Sequence, residues 1–340
     1  MEKYSLSHHI NNEASNKNIP LNVFAELTYS CNLNCYYCFQ KNYKKSKELS
    51  KKQWANILRE LAQLGSFYIT FSGGEPFVRQ DFMSILSYAR KYNFAVSIIT
   101  NGTLLTERTC SEMEEIGIMD ISISLHAANN NLHDELTGFS GSFDKALSSI
   151  RLLKKNGFNV IIKHSVSNRN FGEYITLNKI ALQEGCILEC DSLILPSIQG
   201  MVSPFALNKK QQYTFLMDME IKQNVKPRQP SINENMHCDA GRSICGITPY
   251  GSVFPCILLP IEFGNVAQKS IRDIWNGDKS TSFRNQEKNL DHVCETCTLT
   301  TSCSRCHAIA FMESGKWNSK SKSLCDRAIA FSKVIDVENT

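Results

Sequence analysis

The feature that most constrains this chain is its set of fourteen cysteines within 340 residues, most of them in two groups. The polar N-terminus, MEKYSLSHHINNEASNKN, lacks the apolar core of a signal peptide. No apolar run is long enough for a membrane span, which needs roughly eighteen such residues or more. These observations predict a cytoplasmic protein with no membrane partner, in a compartment where thiols stay reduced. Metal or iron–sulfur ligation therefore explains the cysteines better than disulfides do.

The spacing of the cysteines separates candidate ligands from ordinary thiols. The group near the N-terminus consists of Cys31, Cys35 and Cys38. The group in the last third of the chain consists of Cys238, Cys245, Cys256, Cys294, Cys297, Cys303, Cys306 and Cys325. Cys110, Cys186 and Cys190 show no ligand-like spacing, and we expect them to be core or surface thiols.

Between the two groups, short β-branched runs alternate with amphipathic helical stretches, which is typical of a parallel sheet with helical crossovers. The predicted strands are Val23–Thr28, Tyr68–Phe71, Ala95–Thr100, Asp120–Leu125, Asn159–Val166 and Leu188–Leu195. The predicted helices are Lys51–Leu64, Asp81–Tyr92, Thr106–Ile116, Ser142–Asn156 and Tyr174–Glu184. Six strands in this order fit an α/β fold, a partial (β/α)6 TIM-type barrel open on one side. Periodicity alone leaves a doubly wound sheet as the alternative.

The predicted domain organisation follows from these patterns. Residues 1–21 form an N-terminal tail, 22–200 the partial barrel, 201–235 a linker, and 236–340 a loop-rich, cysteine-rich domain. Hydrophobic residues at 42% and charged residues at 21% are typical of a soluble globular protein. The net charge of +4 is too small to predict a nucleic-acid partner.

The segment TYSCNLNCYYCFQ follows the first predicted strand. Three thiolates this close together can hold one side of a four-iron cluster and leave one iron open, whereas a zinc site would need a fourth nearby ligand. With gaps of three and two residues, and Tyr37 directly before the third cysteine, the segment resembles the signature of the radical S-adenosylmethionine (SAM) superfamily. The resemblance implies a 4Fe–4S cluster on Cys31, Cys35 and Cys38, SAM on the open iron, and Tyr37 near the adenine.

Residues at the ends of the next three strands also fit this superfamily. Adjacent glycines let a backbone approach a ligand closely, and a Gly-Gly pair follows the second strand. The resemblance implies SAM contacts at Ser72, Gly73, Gly74, Glu75, Asn101, Ser122 and Ser124. Thr137 stands where the family segment carries an arginine, so one expected contact to SAM is missing. These positions share the carboxyl ends of parallel strands, where barrels build their active sites.

The C-terminal cysteines resemble the SPASM extension of radical SAM enzymes that modify peptides. Its spacing is present between Cys238, Gly251 and Cys256, while the last gap of CETCTLTTSCSRC is one residue shorter than in the family. The resemblance implies two auxiliary 4Fe–4S clusters. Cys238, Cys245, Cys256 and Cys306 would hold the nearer one, and Cys294, Cys297, Cys303 and Cys325 the other. If Cys245 does not ligate, the nearer cluster keeps an open iron. A pair of zinc ribbons is the alternative.

The resemblance implies an enzyme with SAM and three 4Fe–4S clusters, in which a 5′-deoxyadenosyl radical takes hydrogen from the substrate. SPASM enzymes mostly modify ribosomally made peptides by crosslinking, through thioether or carbon–carbon bonds, or by epimerisation. A precursor peptide is therefore the predicted substrate. Ile257 stands where the sulfatase-activating branch has aspartate, which disfavours that activity.

The alternatives are a tetrapyrrole-modifying relative of the haem pathway and a non-enzyme, such as a zinc-ribbon module or an electron carrier. The catalytic acid or base is unknown from sequence. The candidates near predicted strand ends are His126, Lys163, His164, Arg169 and Asp191.

Two partners are expected besides the peptide. About twenty residues precede the first strand, too few for a leader-binding domain. We therefore expect leader recognition by a separate small protein or by the barrel itself. The basic stretch KNYKKSKELSKK, residues 41–52, is either a solvated linker and helix start or a docking surface for an acidic flavodoxin or ferredoxin.

Overall fold

A single sheet organises the computed structural model, which describes residues 6–38, 40, 46–195, 203–223, 238–286 and 292–338. Within these residues the sheet has nine strands in the order β6-β5-β4-β3-β2-β1-β7-β8-β9. The strands are β1 (Asn22–Thr28), β2 (Tyr68–Gly73), β3 (Ala95–Thr100), β4 (Asp120–Ser124), β5 (Val160–Ser165), β6 (Ile187–Asp191), β7 (Ile244–Ile247), β8 (Ser252–Phe254) and β9 (Gly264–Asn265).

Strands β1 to β6 are parallel and lie side by side in sequence order. A doubly wound sheet would reverse direction at a switch point, whereas here every crossover places the next strand on the same side. Among the described residues β6 pairs with β5 alone, so the sheet does not close on itself. The predicted partial (β/α)6 barrel is confirmed.

Seven helices lie in the described part of the barrel region, one before β1 and the others between the strands. They are α1 (Leu6–Asn16), α2 (Lys51–Gln63), α3 (Phe82–Lys91), α4 (Glu107–Ile116), α5 (Asn130–Thr137), α6 (Ser142–Lys155) and α7 (Glu173–Gln183). A capping box at Ser50 and Gln53 begins α2. Gly117, with φ of +79°, ends α4 in the left-handed conformation that its sequence position predicts. Helix α5 was not among the predicted helices, and α1 lies inside the predicted tail.

Alternate residues of each strand face opposite sides of the sheet. Val23, Ala25 and Leu27 of β1 belong to the large apolar core shared with α2 and α3. Glu26 and Thr28 therefore point to the other, concave face. A register irregularity between these two residues interrupts the β1–β2 pairing. Such bulges re-aim side chains next to active sites.

The cysteine-rich segment extends the barrel sheet, which the sequence analysis did not predict. β7 pairs in parallel with β1, and β8 and β9 continue antiparallel. The remaining helices are α8 (Lys209–Gln223), α9 (Ile271–Trp275), α10 (Asp278–Gln286), α11 (His292–Glu295), α12 (His307–Ser314) and α13 (Lys322–Glu338). Helix α8 lies in the predicted linker and packs against α13. No helix among the described residues is long and apolar enough to cross a membrane.

The three cysteines without ligand-like spacing lie in or beside the core. Cys110 is fully buried in it, and Cys186 and Cys190 are partly buried against it. Their predicted role as ordinary thiols agrees with this placement.

Candidate active site

A cavity of about 800 Å³ opens at the carboxyl ends of the barrel strands. It is lined by all three N-terminal cysteines and by five of the predicted SAM contacts. These five are Ser72, Gly73, Gly74, Asn101 and Ser124. The cavity is large enough for a cofactor and part of a substrate. The residues that the radical SAM resemblance singled out and the cavity of the fold therefore coincide at the carboxyl ends of the strands.

Two neighbouring elements hold the cysteine loop in position. The Asn34 amide donates to the Thr137 carbonyl at 2.9 Å, and the Tyr36 amide to the Leu136 carbonyl at 2.9 Å. On the other side the Asn101 side chain donates to Asn32 Oδ1 at 2.9 Å. Burial raises the pKa of the Cys31 thiol, while the Leu33 amide donates to its sulfur at 3.4 Å. Hydrogen bonds to Thr137, Leu136 and Asn101 therefore fix the conformation of the cysteine loop.

The Gly-Gly pair is required chiefly by the chain's own packing. A Cβ added to Gly73 would lie 2.3 Å from the Thr28 carbonyl oxygen, and one on Gly74 would lie 2.3 Å from that of Ser30. The Gly74 amide donates to Thr28 O at 2.7 Å, and the Glu75 amide to Ser30 O at 3.0 Å. The two glycines thus let β2 approach the start of the cysteine loop, and both also line the cavity.

Glu75 lies behind the cavity wall and holds the Thr100–Asn101 turn through hydrogen bonds. Its carboxylate is buried and accepts hydrogen bonds from the Asn101 amide at 2.8 Å, the Thr100 hydroxyl at 2.7 Å and the Phe77 amide at 3.1 Å. Burial raises its pKa, and these three bonds oppose the rise. This geometry indicates that Glu75 positions Asn101. A direct contact between Glu75 and SAM stays a prediction.

The other predicted SAM contacts divide between the cavity and the layer behind it. Ser124 lines the cavity, whereas Ser122 is buried within β4. The Tyr37 hydroxyl is buried and has no hydrogen-bond partner among the described residues, and its ring packs edge-on against His126 at 5.2 Å. Thr137 lines the cavity, but its hydroxyl bonds internally to the His133 carbonyl and to Ser142. It offers no replacement for the cation that the family segment carries there.

The candidate acids and bases lie in different environments. His126 is buried at the cavity wall, and desolvation holds its pKa well below the usual value. Burial lowers the pKa of His164 to about 4. Lys163 pairs with Glu189, and Arg169 pairs with Glu135 at the surface. Asp191 is exposed near the auxiliary thiol of Cys306, whose pKa its charge helps to raise.

Three C-terminal thiols form an inner group beyond β7. Burial, with a smaller contribution from the nearby thiols of Cys306 and Cys256, raises the pKa of Cys238 to about 12. Burial likewise raises the pKa of Cys256 to about 11, with added repulsion from Cys306 and Glu26. These mutual effects place the three thiols together, as the predicted nearer cluster requires.

Cys245 stands apart from this group. It is fully buried in β7, and its strand register pairs it with Val23, so it points to the helix-covered face. Arg284 and Cys256 perturb its pKa, but Cys238 and Cys306 are not among the causes. Its assignment as a cluster ligand stays a prediction, and this placement favours the alternative in which Cys245 does not ligate and the nearer cluster keeps an open iron.

The outer thiols also lie close together. Burial is the main cause that raises the pKa of Cys303, and the charges of Cys325, Cys294 and Cys297 add to it. Arg305 occupies the shortened gap of the motif and donates to Cys294 Sγ at 3.4 Å. The same guanidinium donates to the carbonyls of Trp317 and Ser319.

The chemistry of these thiol sets fits iron–sulfur clusters. Grouped thiolates are the ligands of such clusters.

Sequence reasoning missed several residues at the cavity. Tyr29, Gln40, Glu48, His133 and Tyr250 all line it. Only Glu26 could have drawn attention to Tyr29 from the sequence, because a carboxyl is unexpected within the apolar strand β1 and the Tyr29 hydroxyl donates to it. In the basic stretch, residues 41–45, including Lys44 and Lys45, lie outside the described residues.

Comparisons with known proteins agree with this geometry. The radical SAM superfamily model matches residues 25–173, and the SPASM model, an iron-sulfur cluster-binding domain, matches 238–298. AdoMet-dependent heme synthase of Methanosarcina barkeri is 28% identical over 88% of this chain and 95% of its own. Mycofactocin maturase MftC of Mycobacterium tuberculosis is 30% identical, over 84% and 77% respectively. Streptococcus suis SuiB, solved with its precursor peptide SuiA, has a similar fold, with a TM-score of 0.72 and 17% identity over 94% of this chain and 80% of that one.

Proposed function

Because the chain belongs to the radical SAM superfamily and carries a SPASM domain, we propose that it modifies a ribosomally synthesised precursor peptide by hydrogen abstraction. The modification would be a thioether or carbon–carbon crosslink, or an epimerisation. The similarity to MftC, which is a maturase, supports this proposal. SuiB supports it through the fold that it shares with this chain.

The single observation that carries the proposal is the composition of the cavity. The three cysteines for the SAM-binding cluster share it with hydroxyl, amide and glycine groups, and none of its described lining residues is lysine or arginine. Apart from Glu48 and the three cysteines, the described wall is polar and uncharged, which suits peptide groups because they can hydrogen-bond without a counter-ion.

The same observation bears on the second candidate function. The similarity to a heme synthase favours a tetrapyrrole substrate. Tetrapyrroles of the haem pathway carry several carboxylates, which call for cationic partners when they are buried. Since the described wall offers none, the peptide is the better-supported substrate.

The chain's residues would divide the work as follows. Cys31, Cys35 and Cys38 would hold the SAM-binding cluster, and the C-terminal thiols the auxiliary clusters. With SAM bound, this centre supplies a 5′-deoxyadenosyl radical. Glu75 holds the Thr100–Asn101 turn, and Asn101 in turn holds the cysteine loop. With substrate bound, the walls of the cavity would exclude water and competing hydrogen donors.

We propose a flavodoxin or ferredoxin as the reductant. Lys47, Lys51 and Lys52, in the described part of the basic stretch, are exposed and could attract an acidic surface. Recognition of the leader by a separate small protein is part of the same proposal.

Anaerobic co-expression with a candidate precursor peptide tests the proposal. Mass spectrometry should show loss of two hydrogens for a crosslink, or gain of one deuterium in heavy water for epimerisation. A Cys38→Ala variant should leave the peptide unmodified. An unmodified peptide with the wild type, in a host that makes the cluster-loaded protein, would contradict peptide maturation.

A further inference from the structure

Tyr36 directly follows the ligand Cys35 in the cysteine loop, and three other segments of the chain hold it. It is 42% exposed and is not among the described residues that line the cavity. Its backbone amide donates to the Leu136 carbonyl at 2.9 Å. The Arg169 guanidinium carbon lies 5.0 Å from the centroid of its ring, and the Phe205 ring packs against it with centroids 4.4 Å apart. These contacts fix an outward-facing side chain of the loop.

Arg169 connects the Tyr36 side chain to α5. One guanidinium nitrogen pairs with the Glu135 carboxylate, and another donates to the Tyr36 hydroxyl at 3.3 Å. Glu135 directly precedes Leu136, whose carbonyl accepts from the Tyr36 amide. Helix α5 therefore holds both the backbone and the side chain of Tyr36. A planar guanidinium can bond a carboxylate and a hydroxyl while it stacks on a ring, whereas the compact ammonium of lysine lacks this geometry.

The loop that carries Arg169, residues 166–172, is itself fixed. The Ser167 amide and hydroxyl donate to Asn170 Oδ1 at 2.6 and 2.9 Å. Asn170 is 1% exposed, and its side-chain amide donates to the His126 carbonyl at 2.8 Å. Arg169 therefore extends to the cysteine loop from a rigid support.

Phe205 is tied to the same support. The Asn168 amide donates to the Phe205 carbonyl at 3.0 Å, and the Asn168 side chain donates to the Pro204 carbonyl at 2.9 Å. Asn168 directly precedes Arg169, so the two side chains that contact Tyr36 are linked through the backbone. Phe205 lies in the segment that leads into α8, within the predicted linker. This part of the predicted linker thus contributes to the environment of the cysteine loop.

Arg169 also places a cation near the end of α5, where the sequence lacks the arginine that the family segment carries. Thr137 stands at that position, and Arg169 pairs with Glu135, two residues before it. A cation is favourable at the C-terminal end of a helix, which carries partial negative charge. Arg169 is not among the described residues that line the cavity. Its contacts are with the cysteine loop instead.

We propose that Arg169 is a positioning residue for the SAM-binding cluster, which holds Tyr36 and thereby fixes the positions of Cys35 and Cys38. The Cys38 amide donates to the Cys35 carbonyl at 3.2 Å, so Tyr36 is a central residue of the turn that joins these two ligands. A shift of Tyr36 therefore displaces both thiols. The proposal goes beyond the proposed substrate, because it concerns the first cluster and applies equally to a peptide and to a tetrapyrrole.

The test compares Arg169→Met with Arg151→Met in the anaerobically purified, cluster-loaded full chain. Arg151 is the matched control, because it forms a similar surface ion pair with Glu184 and its side chain is 60% exposed, against 41% for Arg169. Electron paramagnetic resonance of the reduced protein measures SAM binding, since SAM that coordinates an open iron changes the spectrum of that cluster. Thermal midpoints measure the general loss of stability.

Arg169→Met should raise the dissociation constant for SAM by about tenfold or more, the usual effect of replacing a residue that orients metal ligands. Arg151→Met should bind SAM as the wild type does, and the thermal midpoints of the two variants should agree. Arg169→Lys should have an intermediate affinity, because lysine keeps the charge without the planar fork.

Phe205→Leu is the second variant, since it leaves Arg169 and its ion pair in place. It should weaken SAM binding in the same direction and by less. Wild-type affinity for SAM in both Arg169→Met and Phe205→Leu would overturn the proposal. An equal loss of affinity in Arg151→Met would also overturn it, because removal of any surface arginine would then explain the effect.

Discussion

Gly74→Ala tests whether the Gly-Gly pair shapes the cysteine loop. The added Cβ would lie 2.3 Å from Ser30 O, 2.7 Å from Ser30 C and 2.9 Å from Tyr29 O. All three atoms belong to backbone, so a side-chain rotation cannot relieve the clash. The loop must move by roughly 1 Å to restore ordinary contact, which is comparable to the overpacking displacements that destabilise cores.

The cost can be built from two parts. Overpacking costs about 1–3 kcal/mol. The displacement also weakens the bonds from Gly74 N to Thr28 O and from Glu75 N to Ser30 O, at about 0.5–1.5 kcal/mol each. We expect a loss of about 2–6 kcal/mol, concentrated on the loop that carries the first cluster.

The assay is iron and sulfide content together with the thermal midpoint of anaerobically purified protein. Gly74→Ala should lose about one third of the iron, the share of one cluster among three, and should fail to form 5′-deoxyadenosine. Gly157→Ala is the matched control, because its φ of +78° is strained for alanine but nothing lies within 4 Å of the added Cβ. It should cost about 1–2 kcal/mol and keep its iron. Full iron content and an unchanged midpoint in Gly74→Ala would refute this account of the pair.

Three further predictions concern the C-terminal thiols and Glu26. Burial of Cys245 on the helix-facing side of β7 predicts that Cys245→Ala keeps the auxiliary iron that Cys256→Ala loses; equal losses in an iron assay would place Cys245 among the ligands. Arg305→Met should lower stability by about 1–3 kcal/mol, because two carbonyls lose a donor, and should release iron from the outer group on dialysis, with partial rescue by lysine. The folded-state pKa of Glu26 lies above its ordinary value, so its protonated form favours folding and that contribution is lost as pH rises from 4.5 to about 7. Glu26→Gln should therefore stabilise the protein more at pH 8 than at pH 5, by up to about 3 kcal/mol in the free energy of unfolding, and thermal melts at the two pH values measure the difference. An equal effect of the substitution at pH 8 and at pH 5 would contradict the raised pKa.

Much of the barrel could be predicted because its elements have strong local signals. The β-branched run of β3 and the capping residues of α2 and α4 place those elements within a residue or two of their observed bounds. The sequence-order arrangement of strands required the structure, since periodicity does not distinguish a barrel from a doubly wound sheet.

What the sequence did not reveal depends on long-range packing. β7 has four residues, ICGI, and is a strand because β1 offers it a free edge. At the site, motif spacing indicated the residues expected to contact SAM, but it did not indicate which of them are buried behind the cavity wall. Glu75 and Ser122 lie behind the cavity wall, whereas Tyr29 and Gln40 reach the cavity because of the loop's path.

The most direct test of the central claim is anaerobic incubation of the reconstituted protein with SAM, a reductant and the candidate precursor peptide. We predict 5′-deoxyadenosine, and a modified peptide that appears with it, in wild type, and neither product in Cys38→Ala. Absence of 5′-deoxyadenosine from cluster-loaded wild type would contradict the radical SAM activity. Formation of 5′-deoxyadenosine with an unmodified peptide, while a parallel incubation with a haem-pathway tetrapyrrole in place of the peptide gives a modified tetrapyrrole, would contradict the proposed substrate.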